Sequence, residues 1–222
     1  MTTIEMLPRS GFGFASARTI ADESVLLHAE RELLDAANAN RCGEFAIGRY
    51  CARLALGHLG LAPKPILRDE NGAPIWPQGI LGSISHTRGL TVAIVVAEKL
   101  GKGVGVDAEH IRGRFPPDVF ATIGTAREKD LISRHPEPTR DRLRYAIFSA
   151  KESVFKCLYG AFKERWPLEA IDIRVDAGLN SFTTSPVEPR AGLAIRGHIG
   201  LSADHVVTVA WLPRLNRNDR YP

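Results

Sequence analysis

Apolar positions along the chain recur with two different periods, and the period decides the element. From 44 to 59, Phe45, Ile47, Cys51, Leu54, Ala55 and His58 return every three or four residues, which predicts a helix; a weaker pattern of the same kind runs from 22 to 37. Prolines 63, 65, 74 and 77 with Asn71-Gly72 break all periodicity, so 62–78 is expected to be an ordered, turn-rich loop. Residues 81–85 and 90–97 read as two strands joined by His86-Thr87-Arg88-Gly89, and 103–107 as a third. The second half offers a long helix over 138–162, a strand over 171–175, and a hairpin-like pair over 193–200 and 206–212. Helix, loop, strand, turn, strand therefore occurs twice, with Gly197-His198-Ile199-Gly200-Leu201-Ser202 echoing Gly82-Ser83-Ile84-Ser85-His86. The expected fold is α/β (α+β): two similar halves, 1–102 and 103–222, each a helix on a small, mostly antiparallel sheet. Gly101, Gly103 and Gly105 are expected to let the chain cross between them, with the active groups in the cleft.

Composition narrows the class. The 222 residues are 44% apolar and 24% charged, which is enough to bury a core and too apolar for disorder. No apolar run is long enough to span a bilayer, and Glu5, Pro8, Arg9 and Gly11 stand where a signal peptide needs an apolar core, so a cytoplasmic protein is expected. Three scattered cysteines exclude a disulfide scaffold or zinc knuckle; Cys51 and Cys157 read as small core residues. A net charge of +4 suits phosphate-rich ligands or an acidic protein partner. Charge alone leaves nucleic acid open, but no basic run is interleaved with aromatics, so a nucleic-acid-binding protein ranks last among the alternatives.

Candidate chemistry gathers in two places. In Gly105-Val106-Asp107-Ala108-Glu109, the acids alternate on a strand and so share a face. In Phe148-Ser149-Ala150-Lys151-Glu152, with Lys156 beyond, Glu152 and Lys156 stand one helical turn apart. Three carboxylates beside two ammonium groups make a hard-cation site next to an anion site. Solvated acids at a strand end and surface ion pairing on a helix are the ordinary alternatives. Ser85 and His86 close the first hairpin strand, and His86 reads as a phosphate donor. A serine hydrolase is disfavoured because no Gly-x-Ser-x-Gly elbow occurs. Arg41, Arg49, Arg53 and Arg68 precede the hairpin; Arg49 and Arg53 are one turn apart, with Arg53 the better fit to a solvated face. Walker and dinucleotide loops are absent, so phosphate recognition falls to side chains.

Jointly, Asp107-x-Glu109, Phe148-x-x-Lys151-Glu152-x-x-x-Lys156, Gly82-Ser83-Ile84-Ser85-His86 and Asn71-Gly72-Ala73-Pro74-Ile75-Trp76-Pro77 resemble the Sfp-type 4′-phosphopantetheinyl transferases, in the branch of the enterobactin-synthase component and actinobacterial enzymes. Phe148 stands where many members carry Trp. The resemblance implies a pseudo-twofold fold in which coenzyme A gives its 4′-phosphopantetheine arm to a serine of an apo acyl or peptidyl carrier protein, releasing 3′,5′-ADP. It implies that Asp107, Glu109 and Glu152 hold Mg²⁺ (or Mn²⁺). Arg49 and His86 would bind coenzyme A phosphates, with Arg41, Arg68 and Ser85 as further contacts, and Lys151 and Lys156 would face the pyrophosphate. Glu152, with Lys156, is the expected catalytic group, as base or as ligand. An apolar patch edged with arginines over 111–132 (Arg112, Arg114, Phe115, Phe120, Arg127) is the expected carrier surface, a plain connecting segment its equal alternative. A single chain would supply both halves of the cleft, so a monomer is expected. A non-catalytic coenzyme A or carrier-protein module and a Mg²⁺-dependent phosphohydrolase stay open as alternatives.

Overall fold

The computed structural model describes residues 10–18, 23–34, 39–184 and 195–214. Its elements run β1 (Phe12–Ala17), α1 (His28–Arg31), α2 (Ala39–Gly57), β2 (Leu67–Arg68), β3 (Pro74–Ile75), β4 (Ile80–Thr87), β5 (Leu90–Ala97) and β6 (Gly101–His110). There follow α3 (Pro117–Ile123), α4 (Ala126–Ser133), α5 (Thr139–Phe162), β7 (Ile173–Val175), β8 (Ser181–Thr184), β9 (Arg196–Leu201) and β10 (His205–Pro213). All pairing is antiparallel. One sheet has the order β1-β5-β4, a second β6-β10-β9-β8-β7, and β2-β3 is a two-stranded ribbon within the proline-rich loop.

Strand alternation builds the layers. Phe12, Val92, Ile94 and Val96 from the first sheet and Val104, Val106, Ala108, Val207 and Val209 from the second form one buried cluster, so the sheets share a central layer. The opposite face of the first sheet (Ala15, Ala93, Val95) packs on Cys51, Ala52, Ala55 and Leu56 of α2. That of the second carries α5 through Ala146, Ala150, Val154 and Cys157 against Val206, Ala210 and Leu212. Both cysteines are core residues, as their helical spacing predicts.

The halves repeat each other in their interactions as well as their order. In the first, the fully buried Glu30 accepts the backbone N–H groups of Leu27 (3.0 Å) and Ile66 (2.9 Å) and pairs with Arg53 of α2. In the second, the fully buried Glu128 accepts those of Thr125 (2.8 Å) and Ile173 (2.7 Å) and pairs with Lys151 of α5 at 3.0 Å. A Cβ on Gly13 would lie 2.0 Å from the Ala55 carbonyl oxygen, and one on Gly105 1.9 Å from that of Ser153, so each helix rides on a glycine of its sheet.

Several expectations change. Of the helix over 22–37, the described part holds only a 3-10 turn at Glu23–Val25 and the four-residue α1; 22 and 35–38 lie outside the described residues, as do 193 and 194 of the later strand. The strands predicted over 81–85 and 103–107 run longer, because Ser83, Ser85 and Thr87 find partners across the molecule. Gly103 and Gly105 do not mark a crossing of the chain; they sit in a continuous strand and admit α5, while Gly101 admits Trp211. Arg53 is no solvated residue, since Glu30 and the Val25 carbonyl hold it inside.

Candidate active site

On β6, Val104, Val106 and Ala108 face the central layer, so Gly103, Gly105, Asp107 and Glu109 form a row on the α5 side. The row is glycine where the helix touches the backbone and carboxylate beyond. Asp107 is 4% exposed. Its Oδ1 accepts hydrogen bonds from Ser85 Oγ (3.0 Å) and Lys156 Nζ (2.7 Å), and Lys156 also donates to Ser85 Oγ (3.0 Å). Its Oδ2 is buried and has no hydrogen-bond partner among the described residues. Burial, then the Asp107 charge, pushes the Glu109 carboxyl up to about 7, with Lys156 opposing and Glu152 adding to the rise. Burial also raises Glu152, against Lys156 and helped by Asp107. Asp107, Glu109, Glu152 and Lys156 are thus brought together, as their alternate and one-turn spacings predict.

Three carboxylates share one ammonium group, and a buried oxygen is left over. That donor set, all hard oxygen and short of positive charge, fits Mg²⁺. Among the described residues no group of three or more His, Cys, Asp or Glu side chains stands ready to hold a metal ion. Mg²⁺ keeps waters and takes substrate phosphate oxygens, so the carboxylates need not be closed round it beforehand.

Beside Lys156 opens a cavity of about 680 Å³, bounded by Asn71–Trp76, Ile80–Ile84, Phe155, Tyr159 and Lys163. A Cβ on Gly82 would meet the Trp76 indole at 2.5 Å, so the glycine is what allows this ring to lie on β4. Lys163 closes α5 in the left-handed conformation (φ 59°), 4.0 Å from Asp69 and 5.3 Å from the Tyr159 ring, tying the helix end to the proline-rich loop. The size suits a ligand no smaller than a drug-like molecule.

The seam between the halves is stitched from β4. Ser83 Oγ accepts the Val106 N–H (3.1 Å), Ser85 donates to Asp107, and Thr87 Oγ1 accepts the His110 N–H (3.2 Å). The roles of Ser83 and Thr87 were not predicted, although hydroxyls at 83, 85 and 87 share one face of a strand. Glu128 had a legible signal too: Thr125-x-x-Glu128 is a capping box, and both its bonds form.

The remaining predicted residues lie elsewhere. Arg49 and Arg68 converge on the Phe45 ring, with guanidinium carbons 4.3 and 4.9 Å from its centre. Arg49 is buried and donates through Nε to the Ile66 carbonyl (2.6 Å); burial above all lowers it to about 10. Arg68 donates to the Leu33 carbonyl. His86 is half-exposed and lies 3.7 Å from Glu44. Arg41 belongs to α2, but its side chain lies outside the described residues. Lys151 requires correction: it is fully buried on another side of α5, where its ammonium pairs with Glu128 and donates to the Leu168 and Ile171 carbonyls. It does not face the carboxylates, because the neighbouring Glu152 already points there and adjacent helix positions diverge by 100°. Within 111–132, Phe115 and Phe120 are core residues and Arg127 is held by Asp172 and the Ile173 carbonyl. The expected apolar patch is therefore absent at those two aromatic residues, while Arg112, Arg114, Arg127 and Val119 are exposed.

A family model described as the 4′-phosphopantetheinyl transferase N-terminal domain matches residues 29–96, and one described as the 4′-phosphopantetheinyl transferase superfamily matches 103–210. The chain is 37% identical to 4′-phosphopantetheinyl transferase Svp of Streptomyces mobaraensis, over 76% of this chain and 69% of that one. It is 36% identical to 4′-phosphopantetheinyl transferase PptT of Mycobacterium tuberculosis over 62% of this chain and 59% of that one. It is 31% identical to enterobactin synthase component D of Salmonella typhi over 74% and 67%.

Proposed function

The chain belongs to the 4′-phosphopantetheinyl transferase superfamily, and from that premise we propose that it moves the 4′-phosphopantetheine arm of coenzyme A onto a serine of an apo acyl or peptidyl carrier protein, with Mg²⁺ and with release of 3′,5′-ADP. The observation that carries the reading is the Asp107 centre: a buried carboxylate with one oxygen on Lys156 and Ser85 and the other without a partner among the described residues, beside Glu109, Glu152 and the large cavity.

Asp107, Glu109 and Glu152 would hold the metal. When bound, Mg²⁺ neutralises phosphate charge and stabilises the leaving group. Lys156, at the cavity wall, is placed to take up charge on the pyrophosphate. Glu152, one helical turn from Lys156 and at the edge of the carboxylate cluster, is assigned the proton of the attacking serine. Coenzyme A would occupy the cavity between Asn71–Trp76 and α5, and its outlying phosphate is assigned to His86 with Arg68 and Arg41. Arg49 acts by fixing the ring and loop around them, since its Nε is committed to the Ile66 carbonyl. The exposed Arg112 and Arg114, close after β6, suit an acidic helix of the carrier. Among the described residues no helix is long and apolar enough to cross a membrane.

Intact-mass spectrometry of an apo carrier protein incubated with the protein, coenzyme A and Mg²⁺ tests this. A mass gain of one phosphopantetheine arm, abolished by chelator and by Asp107→Ala, is the expected result. Coenzyme A binding without transfer to any of several carrier types would leave a binding module, and inorganic phosphate release would reveal a phosphohydrolase.

A further inference from the structure

Lys156 makes two bonds that its assigned role does not use. Its ammonium lies 2.7 Å from Asp107 Oδ1 and 3.0 Å from Ser85 Oγ, so it is engaged within the site itself. Glu152 stands one helical turn before Lys156 on α5, so the ammonium that pairs with Asp107 also belongs to the helix face that brings Glu152 to the site. The pair is asymmetric: the Asp107 side chain is 5% exposed and that of Lys156 29%, and Lys156 also lines the cavity. The carboxylate is fixed while the ammonium, on four flexible methylenes, stands at the mouth with somewhere to go. The other oxygen of Asp107 has no hydrogen-bond partner among the described residues.

We propose that Lys156 is a tethered cation that holds the Asp107 side chain in place, and that a divalent metal ion exchanges with it there, turning the ammonium into the cavity to meet a phosphate. This rests on the reading of the carboxylates as a metal site and adds to it a competition: metal binding costs the Lys156–Asp107 pair. A phosphate ligand that captures Lys156 removes this cost, so metal and phosphate ligand strengthen one another through a single side chain.

The test is Mn²⁺ affinity by electron paramagnetic resonance, without coenzyme A, for the wild type, Lys156→Met, Lys156→Gln and Asp107→Asn. Loss of the competing ammonium should tighten Mn²⁺ about five- to tenfold in both lysine variants, the worth of a partly buried ion pair, and Asp107→Asn should weaken it. Equal or weaker binding in folded lysine variants overturns the exchange while leaving the metal site intact. No Mn²⁺ binding by the wild type overturns both. A second readout needs no variant. Acetylation of Lys156, followed by peptide mass spectrometry, should rise severalfold when Mg²⁺ is added, and an unchanged rate overturns the proposal.

Discussion

Glu109 shows how one residue couples the site to stability. In the metal-free protein its carboxyl titrates near 7 instead of 4.5, so between those values the folded state holds more protons than the unfolded one. Its contribution to stability is therefore lost as pH rises from 4.5 to 7 and is constant above. Glu109→Gln should remove this dependence: thermal melts in chelator are expected to show the variant gaining on the wild type from pH 5 to pH 8. A gap that does not widen would mean that Glu109 is not held up. Lys151 belongs to the opposite class. With Glu128 it forms a fully buried pair, and Lys151→Ala would strand a buried carboxylate, at a cost of about 3–5 kcal/mol in a urea titration. If Lys151 were instead a phosphate ligand, stability would hold and KM for coenzyme A would rise.

At the scale of elements, the glycine row of β6 sets how closely α5 approaches. Gly105→Ala would put a methyl 1.9 Å from a backbone oxygen, which the helix can relieve only by moving as a body. Overpacking of this kind costs about 3 kcal/mol. Because Asp107 and Lys156 sit on the two elements being separated, the expected loss of kcat should exceed that of a variant equally destabilised elsewhere, such as Gly13→Ala on the first sheet. Gly60, with φ +74° and open space round its Cβ position, is the contrasting glycine: substitution there strains only a turn.

Over the whole molecule, two sheets meet in one central layer, but the halves are registered by the polar seam from β4 to β6. Ser83→Ala with Thr87→Val would leave the Val106 and His110 N–H groups without their acceptors, at about 1–3 kcal/mol for each group that stays buried. A lower urea midpoint with reduced Mn²⁺ affinity is the expected outcome; an unchanged midpoint would mean that apolar packing alone sets the register. The duplicated Glu30 and Glu128 centres show that each half carries its own ionic anchor.

Much of this was legible in the sequence because the information is local. Helical spacing placed α2 and α5, turn residues placed the hairpins, and the period of two put Asp107 and Glu109 on one face. The i, i+4 relation did the same for Glu152 and Lys156. These are properties of a helix or strand whatever it packs against. Tertiary structure alone decided which charges are chemical and which are structural. Lys151 and Lys156 are both lysines on one helix, yet one is sealed against Glu128 and the other stands at a cavity, because helix rotation against the sheet sends them apart. Likewise Arg53 lies buried on Glu30, and Ser83, Ser85 and Thr87 become a seam only once β6 is folded beside them. Burial and partnership across tens of residues are set by packing, and packing is not written in any one segment.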